Sequence, residues 1–87
     1  MERIVEYTLK AEEDIIFFKK AGQSKILKKI RQLIESIQQS PFKGIGKPEP
    51  LKYQLTGCWS RRINHEHRLV YEVVDDKIFI LSARDHY

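Results

Sequence analysis

Residue types that together could cut an RNA backbone occur in the second half of the sequence. When RNA is cut internally, the ribose 2′-hydroxyl attacks the neighbouring phosphate, and the nucleophile belongs to the substrate. The protein must then supply a base for the 2′ proton, a cation for the charge on the phosphorane and an acid for the departing 5′ oxygen. Glu49 is the candidate base, Arg62 or Arg68 the candidate cation and His86 the candidate acid. This chemistry requires no metal and no cofactor.

Glu49 is distinctive because it lies between two prolines, in the string KPEPLK. Proline fixes its own φ angle and restricts the residue before it to extended conformations, so this glutamate has little backbone freedom. A positioned base benefits from such restriction. The same string would also occur in a rigid loop without a chemical role.

The arginines and histidines differ in how specific their signals are. Arginine presents a planar, permanently charged fork that matches phosphate, yet a surface arginine is equally compatible with the pattern. His86 has a reference pKa of about 6.5, close enough to neutral pH to give and accept protons. Cys58, His65 and His67 do not show a zinc-ligand spacing, so we expect no metal site.

All of the excess positive charge lies in one segment, residues 43–68. The segment carries six basic and two acidic residues, which accounts for the whole formal net charge of +4. Tyr53 and Trp59 within it could stack on bases, which is typical of a nucleic-acid-binding face. We therefore predict that its basic side chains contact substrate, namely Lys47, Lys52, Arg61 and Arg62. The alternative is a solvated basic loop.

The periodicity of apolar residues changes from helical to alternating at about residue 50. A strand over residues 2–7 is followed by a helix capped by Thr8 and ended by Gly22, and Ser24 is the predicted N-cap of a second helix. Lysines on the second helix could bind phosphate or simply be solvated. A loop with all three prolines then leads into four short predicted strands, at residues 51–55, 58–64, 67–74 and 78–84.

This order of elements predicts an α+β fold, β-α-α-β-β-β-β, with two helices on one face of a mainly antiparallel sheet and the other face open. With 87 residues, we expect a single domain over residues 1–87. The lone Cys58, the absence of an apolar leader and the absence of a long apolar run predict a reduced cytoplasmic protein without a membrane partner.

Several unusual strings resemble one known family. The segment SPFKGIGKPEPLKYQLTGCWSRRINHEHRLVYEV, together with the terminal HY, is similar to the YoeB (Txe/YoeB) toxins of the RelE-like toxin–antitoxin superfamily. The resemblance covers essentially the whole chain and is densest between residues 41 and 73. It implies the RelE-like, microbial-RNase-like fold and a ribosome-dependent mRNA endonuclease that cuts the codon in the A site of the 70S ribosome.

The resemblance also implies roles for individual residues. Glu49 matches the general base of the family, Arg68 its phosphate-stabilising arginine and His86 its general acid. The remaining matches are to substrate-holding or motif positions, namely Tyr87, Lys52, Arg62 and Trp59, of which Trp59 could equally be a core residue. Implied partners are a YefM-like antitoxin, operator DNA through the antitoxin complex, and a second copy of the toxin in a homodimer.

Two positions depart from the family pattern, and two other functions stay open. Asp85 replaces the tyrosine that often precedes the final His-Tyr pair, and Cys58 replaces a larger apolar residue before the tryptophan. A non-catalytic module that only binds ribosomes, RNA or antitoxin predicts binding without cleavage. A free ribonuclease predicts cutting of naked RNA.

Overall fold

The computed structural model describes residues 3–85, apart from the side chain of Asp85. It contains five strands, two α-helices and one short 3-10 helix. In chain order these are β1 (Ile4–Tyr7), α1 (Leu9–Lys20), α2 (Ser24–Gln39), β2 (Glu49–Pro50), the 3-10 helix Tyr53–Leu55, β3 (Cys58–Arg62), β4 (Arg68–Val74) and β5 (Lys77–Asp85). The predicted order β-α-α-β-β-β-β is confirmed.

The helix ends follow local chemistry, with one shift from prediction. Thr8 caps α1 as predicted, because its hydroxyl accepts a hydrogen bond from the Ala11 N–H at 3.1 Å. Gly22 follows α1 with φ +69°, the left-handed conformation that favours glycine. The predicted cap of α2 is wrong by one residue: Ser24 is the first helical residue and Gln23 occupies the cap position without a side-chain hydrogen bond.

The five strands form one sheet in the order β1-β5-β4-β3-β2. Strands β2 to β5 form an antiparallel meander, whereas β1 pairs with β5 in parallel. The sheet is therefore mixed but mainly antiparallel, in agreement with the sequence. Strand β5 lies inside the sheet between β1 and β4, and the two-residue β2 lies at the opposite edge.

Both helices contribute their apolar sides to one core on a single face of the sheet. Helix α2 buries Ile30, Leu33 and Ile37, which lie one turn apart, and α1 buries Ala11 and Phe18. These side chains pack against inward-facing sheet residues, including Leu69, Tyr71, Ile78, Ile80 and Ala83. Residues 3–85 include no helix that is both long enough and apolar enough to cross a bilayer.

The strand predicted over residues 51–55 is wrong. Pairing with β3 begins and ends earlier, at Glu49 and Pro50, although the Leu51 N–H still donates to the Cys58 carbonyl at 2.9 Å. The chain then turns into the 3-10 helix, in which Tyr53 has φ +60° and is 87% exposed. The apolar alternation here does not correspond to a strand, because the positive φ of Tyr53 lies outside the extended region of regular strands.

Candidate functional site

The candidate site lies on the sheet face opposite the helices, which we call the open face. Alternation along β3 and β4 places Leu69 and Tyr71 in the core, and it places Ser60, Arg62, Arg68 and Val70 on the other side. Glu49 joins this open face because it is the register partner of Ser60 across β2 and β3.

The predicted base and the predicted cation are in contact on this face. Glu49 Oε2 lies 3.6 Å from Arg68 Nη1, with side chains 50% and 18% exposed. The distance is that of an ion pair and exceeds the usual length of a direct hydrogen bond. Two groups of opposite charge thus lie side by side, and both are partly accessible to solvent.

Ser60 lies beneath this pair and was not predicted from the sequence. Its side chain is fully buried, and its Oγ is 3.5 Å from Arg68 Nη1. Ser60 and Val70 are both almost fully buried, so the accessible part of this face is formed by longer side chains such as Glu49 and Arg68. Its register partner is Val70, two residues from Arg68 on the same face, and this pairing is visible only in the structure.

The other predicted basic contacts surround the pair, with one exception described below. Arg62 is exposed and is the register partner of Arg68, and its N–H donates to the Gly46 carbonyl at 2.7 Å. Lys47, two residues before Glu49, is exposed with φ +51°. Lys52 is exposed at the start of the 3-10 helix. All three side chains can reach solvent near β2.

Arg61 corrects the prediction that it contacts substrate. It is 0% exposed, and it points to the helix side of the sheet with Trp59 and Leu69. Its guanidinium donates five hydrogen bonds, to Tyr71 Oη, Ser36 Oγ and the carbonyls of Ile45, Ser40 and Lys43. These bonds use every N–H of the group, so none is left for a substrate phosphate.

The aromatic residues of the basic segment have separate roles. The Trp59 ring packs on Phe42 with centroids 4.9 Å apart and also contacts the core, which favours the packing interpretation over base stacking. Tyr53 instead presents its ring to solvent, directly after Lys52.

The predicted acid, His86, and the predicted substrate contact, Tyr87, lie outside the described residues. Strand β5 carries the chain towards the candidate site, because the backbone of Asp85 is the register partner of Arg68. The described strand therefore ends beside the Glu49–Arg68 pair.

Asp14 fixes this part of β5 and was also missed. Beyond the end of β1, the Ala83 N–H donates to Asp14 Oδ2 at 2.9 Å, and the carboxylate also pairs with Lys10. The Thr8 hydroxyl donates to the Leu81 carbonyl at 2.9 Å. The side chains of Thr8, the cap residue, and of Asp14 in α1 thus hydrogen-bond the backbone of β5 where β1 no longer pairs with it. In the sequence Asp14 follows Glu12 and Glu13, and acidic residues are common near the start of a helix, so its type gives no sign of a distant partner.

Cys58 lies on β3 and is buried. Burial raises the pKa of its thiol, and the nearby Glu72 carboxylate raises it further. The thiol is therefore protonated at neutral pH, which makes it a poor nucleophile and a poor metal ligand.

Comparisons with known proteins give the family context of this geometry. The family of YoeB-like toxins of bacterial type II toxin–antitoxin systems matches residues 7–87. The toxin RelK of Mycobacterium tuberculosis is 51% identical over 85 residues, which cover 98% of this chain and 99% of RelK.

Two structures from Staphylococcus aureus are similar over 100% of both chains at 46% identity. One is a YoeB dimer, with a TM-score of 0.91, and the other is a heterotetrameric YoeB–YefM toxin–antitoxin complex, with a TM-score of 0.88. Fold, motif and overall length therefore agree, and the chain belongs to the YoeB-like toxins of bacterial type II toxin–antitoxin systems.

Proposed function

We propose that this toxin is a ribosome-dependent endoribonuclease that cuts mRNA in the ribosomal A site and thereby stops translation. The observation that carries the proposal is the Glu49–Arg68 pair, which joins a carboxylate and a guanidinium at 3.6 Å on an exposed, basic face. Membership of the toxin family supports a harmful activity, and the pair supports its chemistry.

In the proposed reaction, Glu49 removes the proton of the ribose 2′-hydroxyl. The 2′ oxygen forms a bond to phosphorus while Arg68 stabilises the charge that develops on the phosphorane oxygens. His86 donates a proton to the 5′ oxygen as its bond to phosphorus breaks. The products are a 2′,3′-cyclic phosphate, which can open to a 3′-phosphate, and a 5′-hydroxyl. The substrate supplies the nucleophile, so the scheme uses no metal or cofactor.

Substrate is held by the positive charge around the pair. Arg62, Lys47 and Lys52 are exposed near β2, where they can contact phosphates on either side of the scissile bond. Tyr87 completes the proposed substrate contacts. Arg61 is not part of this set, because its donors are already used inside the protein.

The proposed partners are those of a type II toxin. A YefM-like antitoxin binds this chain, by analogy with the heterotetrameric YoeB–YefM complex of Staphylococcus aureus. Binding of operator DNA by the toxin–antitoxin complex is part of the same proposal. A homodimer is proposed from the YoeB dimer of the same organism. The chain acts as one toxin domain, residues 1–87, in the cytoplasm on 70S ribosomes.

The test is a translation reaction primed with a defined mRNA, in which new 5′ ends are mapped. We expect cleavage at the A-site codon with the wild-type protein and strong loss with Glu49→Gln or His86→Ala. Glu6→Gln is the matched control. Glu6 is also about half exposed and forms an ion pair, with Lys77 at 3.3 Å, but it lies on β1, at the sheet edge opposite β2.

Wild-type protein that yields no new ends, while binding ribosomes in a salt-sensitive way, would contradict the proposal and identify a non-catalytic binding module. Efficient cutting of naked RNA would identify a free ribonuclease. Equal activity of Glu49→Gln and Glu6→Gln would remove Glu49 from the mechanism.

A further inference from the structure

Residues 40–48 form the irregular loop that precedes Glu49, and we call them loop 40–48. The loop contains three residues with positive φ: Gly44 at +129°, Gly46 at +82° and Lys47 at +51°. Glycines in an isolated loop increase the number of accessible conformations. A catalytic carboxylate must be held much more narrowly than such a loop would hold it by itself.

One buried side chain, Arg61, binds this loop at three points. Its Nη2 donates to the carbonyls of Ser40 and Lys43 at 2.7 and 3.0 Å, and its Nη1 donates to that of Ile45 at 3.1 Å. The Tyr71 hydroxyl accepts from Arg61 Nε at 3.2 Å and donates to the Pro41 carbonyl at 2.6 Å. Arg61 and Tyr71 therefore satisfy four carbonyls of one loop.

The charge of Arg61 is balanced by these dipoles. None of the ion pairs among the residues that the structure describes includes Arg61. A buried cation without a carboxylate is costly unless neutral acceptors surround it. Its low-energy state thus requires the loop carbonyls to be in place, which couples the position of the loop to β3.

The loop is packed too closely on Arg61 to move independently. A Cβ atom at Gly44 would lie 3.0 Å from Arg61 Nη1 and 2.5 Å from Ser36 Oγ, and one at Gly46 would lie 3.2 Å from Arg61 Cβ. The next residue on β3, Arg62, donates its N–H to the Gly46 carbonyl at 2.7 Å. Only Lys47 and Pro48 separate this bond from Glu49, which pairs with Ser60 on the other side of Arg61.

We propose that Arg61 and Tyr71 are positioning residues that fix loop 40–48 and thereby hold the Glu49 carboxylate against Arg68. This proposal rests on the function proposed above, because it assigns to Glu49 a geometry needed for proton removal. Neither residue contacts substrate. Their effect on the reaction is transmitted through the loop carbonyls.

Tyr71→Phe is the appropriate test, since it removes one hydroxyl with two hydrogen bonds and keeps the ring. We expect the single-turnover rate of A-site cleavage at saturating ribosomes to fall by about tenfold or more. The dissociation constant for ribosomes should stay unchanged. Ile78→Val is the control for lost stability, because Ile78 is fully buried and pairs with Val73, far from Glu49 along the strands.

A double-mutant cycle separates positioning from general destabilisation. If Tyr71 acts through Glu49, adding Tyr71→Phe to Glu49→Gln should cause no further loss of rate. An equal tenfold loss in both backgrounds, or a tenfold loss in Ile78→Val at the same decrease in melting temperature, would overturn the proposal. So would an unchanged rate in Tyr71→Phe.

Hydrogen exchange of the free protein tests the clamp independently of activity. We expect the amides of residues 44–47 and 49 to exchange faster in Tyr71→Phe and even faster in Arg61→Lys, whose ammonium has fewer donors. Unchanged exchange overturns the clamp even if the wild-type protein cuts mRNA. If the two variants exchange faster but the wild-type protein does not cut mRNA, the clamp is supported and only the proposed nuclease function is contradicted.

Discussion

Two arginines on neighbouring strands illustrate how differently the two faces of the sheet use the same side chain. Arg61 on β3 faces the helices, is 0% exposed and is surrounded by hydroxyl and carbonyl oxygens. Arg68 on β4 faces the open side, remains partly exposed and pairs with the Glu49 carboxylate. Arg61 donates all of its N–H groups to oxygens of the protein, whereas Arg68 keeps N–H donors that a phosphate could use.

This difference shows that location on the sheet decides what a cation does. A guanidinium whose donors are all satisfied contributes to stability and loop geometry, and its loss leaves acceptors without partners. A guanidinium beside an exposed carboxylate contributes little to stability, because solvent screens the pair. Substitutions at the two positions should therefore affect different measurements.

The largest expected effect is on activity, at Arg68. Arg68→Gln should lower the single-turnover cleavage rate by about 100-fold to 1,000-fold, because it removes the charge that stabilises the phosphorane. The free energy of unfolding should change by less than about 1 kcal/mol. Rates on programmed ribosomes and urea unfolding measure the two quantities. A large loss of stability with little loss of rate would invert the comparison.

The next effect is on stability, at Arg61. Arg61→Met should lower the free energy of unfolding by about 3 kcal/mol, since several buried acceptors lose their donor at once. Urea unfolding followed by circular dichroism provides the value. Stability within about 0.5 kcal/mol of wild type, the range of an ordinary surface substitution, would show that Arg61 is no more important to the fold than an exposed arginine.

A smaller effect concerns the space around Arg61. Gly44→Ala should destabilise the protein by about 2 kcal/mol, because the added Cβ meets Ser36 Oγ and Arg61 Nη1 at a positive φ. Gly22→Ala is the matched control: it also has positive φ, but no atom lies within 4 Å of its Cβ, so about 1 kcal/mol is expected. Equal losses in the two variants would mean that the loop can retreat from Arg61.

The smallest effect is a pH dependence at Tyr71. Burial raises the pKa of the Tyr71 hydroxyl, and the hydrogen bond and charge of Arg61 partly oppose this. The stabilisation by Tyr71 relative to Tyr71→Phe should be complete below the unfolded pKa of about 10 and should decline as pH rises towards the folded pKa. Urea unfolding of both proteins on either side of about pH 10 measures the difference. A difference that grows with pH would contradict the assigned direction.

Much of the fold could be predicted because its signals are local. The cap at Thr8, the short connection between the strands predicted at 67–74 and 78–84, and the change from helical to alternating periodicity all depend on neighbouring residues. Glu49 and Arg68 were predicted as candidate site residues from chemistry and family resemblance, but the contact between them was not predicted. Its existence depends on the register of three strands, which the sequence specified only approximately.

The errors share a physical origin in long-range contacts. Alternation along β3 placed Arg61 between Trp59 and Ile63 on the core side, but its charge suggested the surface, and only the loop carbonyls explain its burial. Helical spacing likewise puts Asp14 with Ala11 and Phe18, yet its partner is an N–H on β5. The residue type shows that such side chains are polar, but their hydrogen-bond partners are brought to them only by the tertiary fold.

The parallel pairing of β1 with β5 has a consequence for the order of folding. Strand β5 lies between β1 and β4, although it is the last described element of the chain to be synthesised. Strand β1 therefore emerges first and has no strand to pair with until nearly all other elements exist. Pairings this distant in sequence delay folding. The sheet consequently cannot be completed until β5 has been synthesised, and β1 waits for a partner throughout that time.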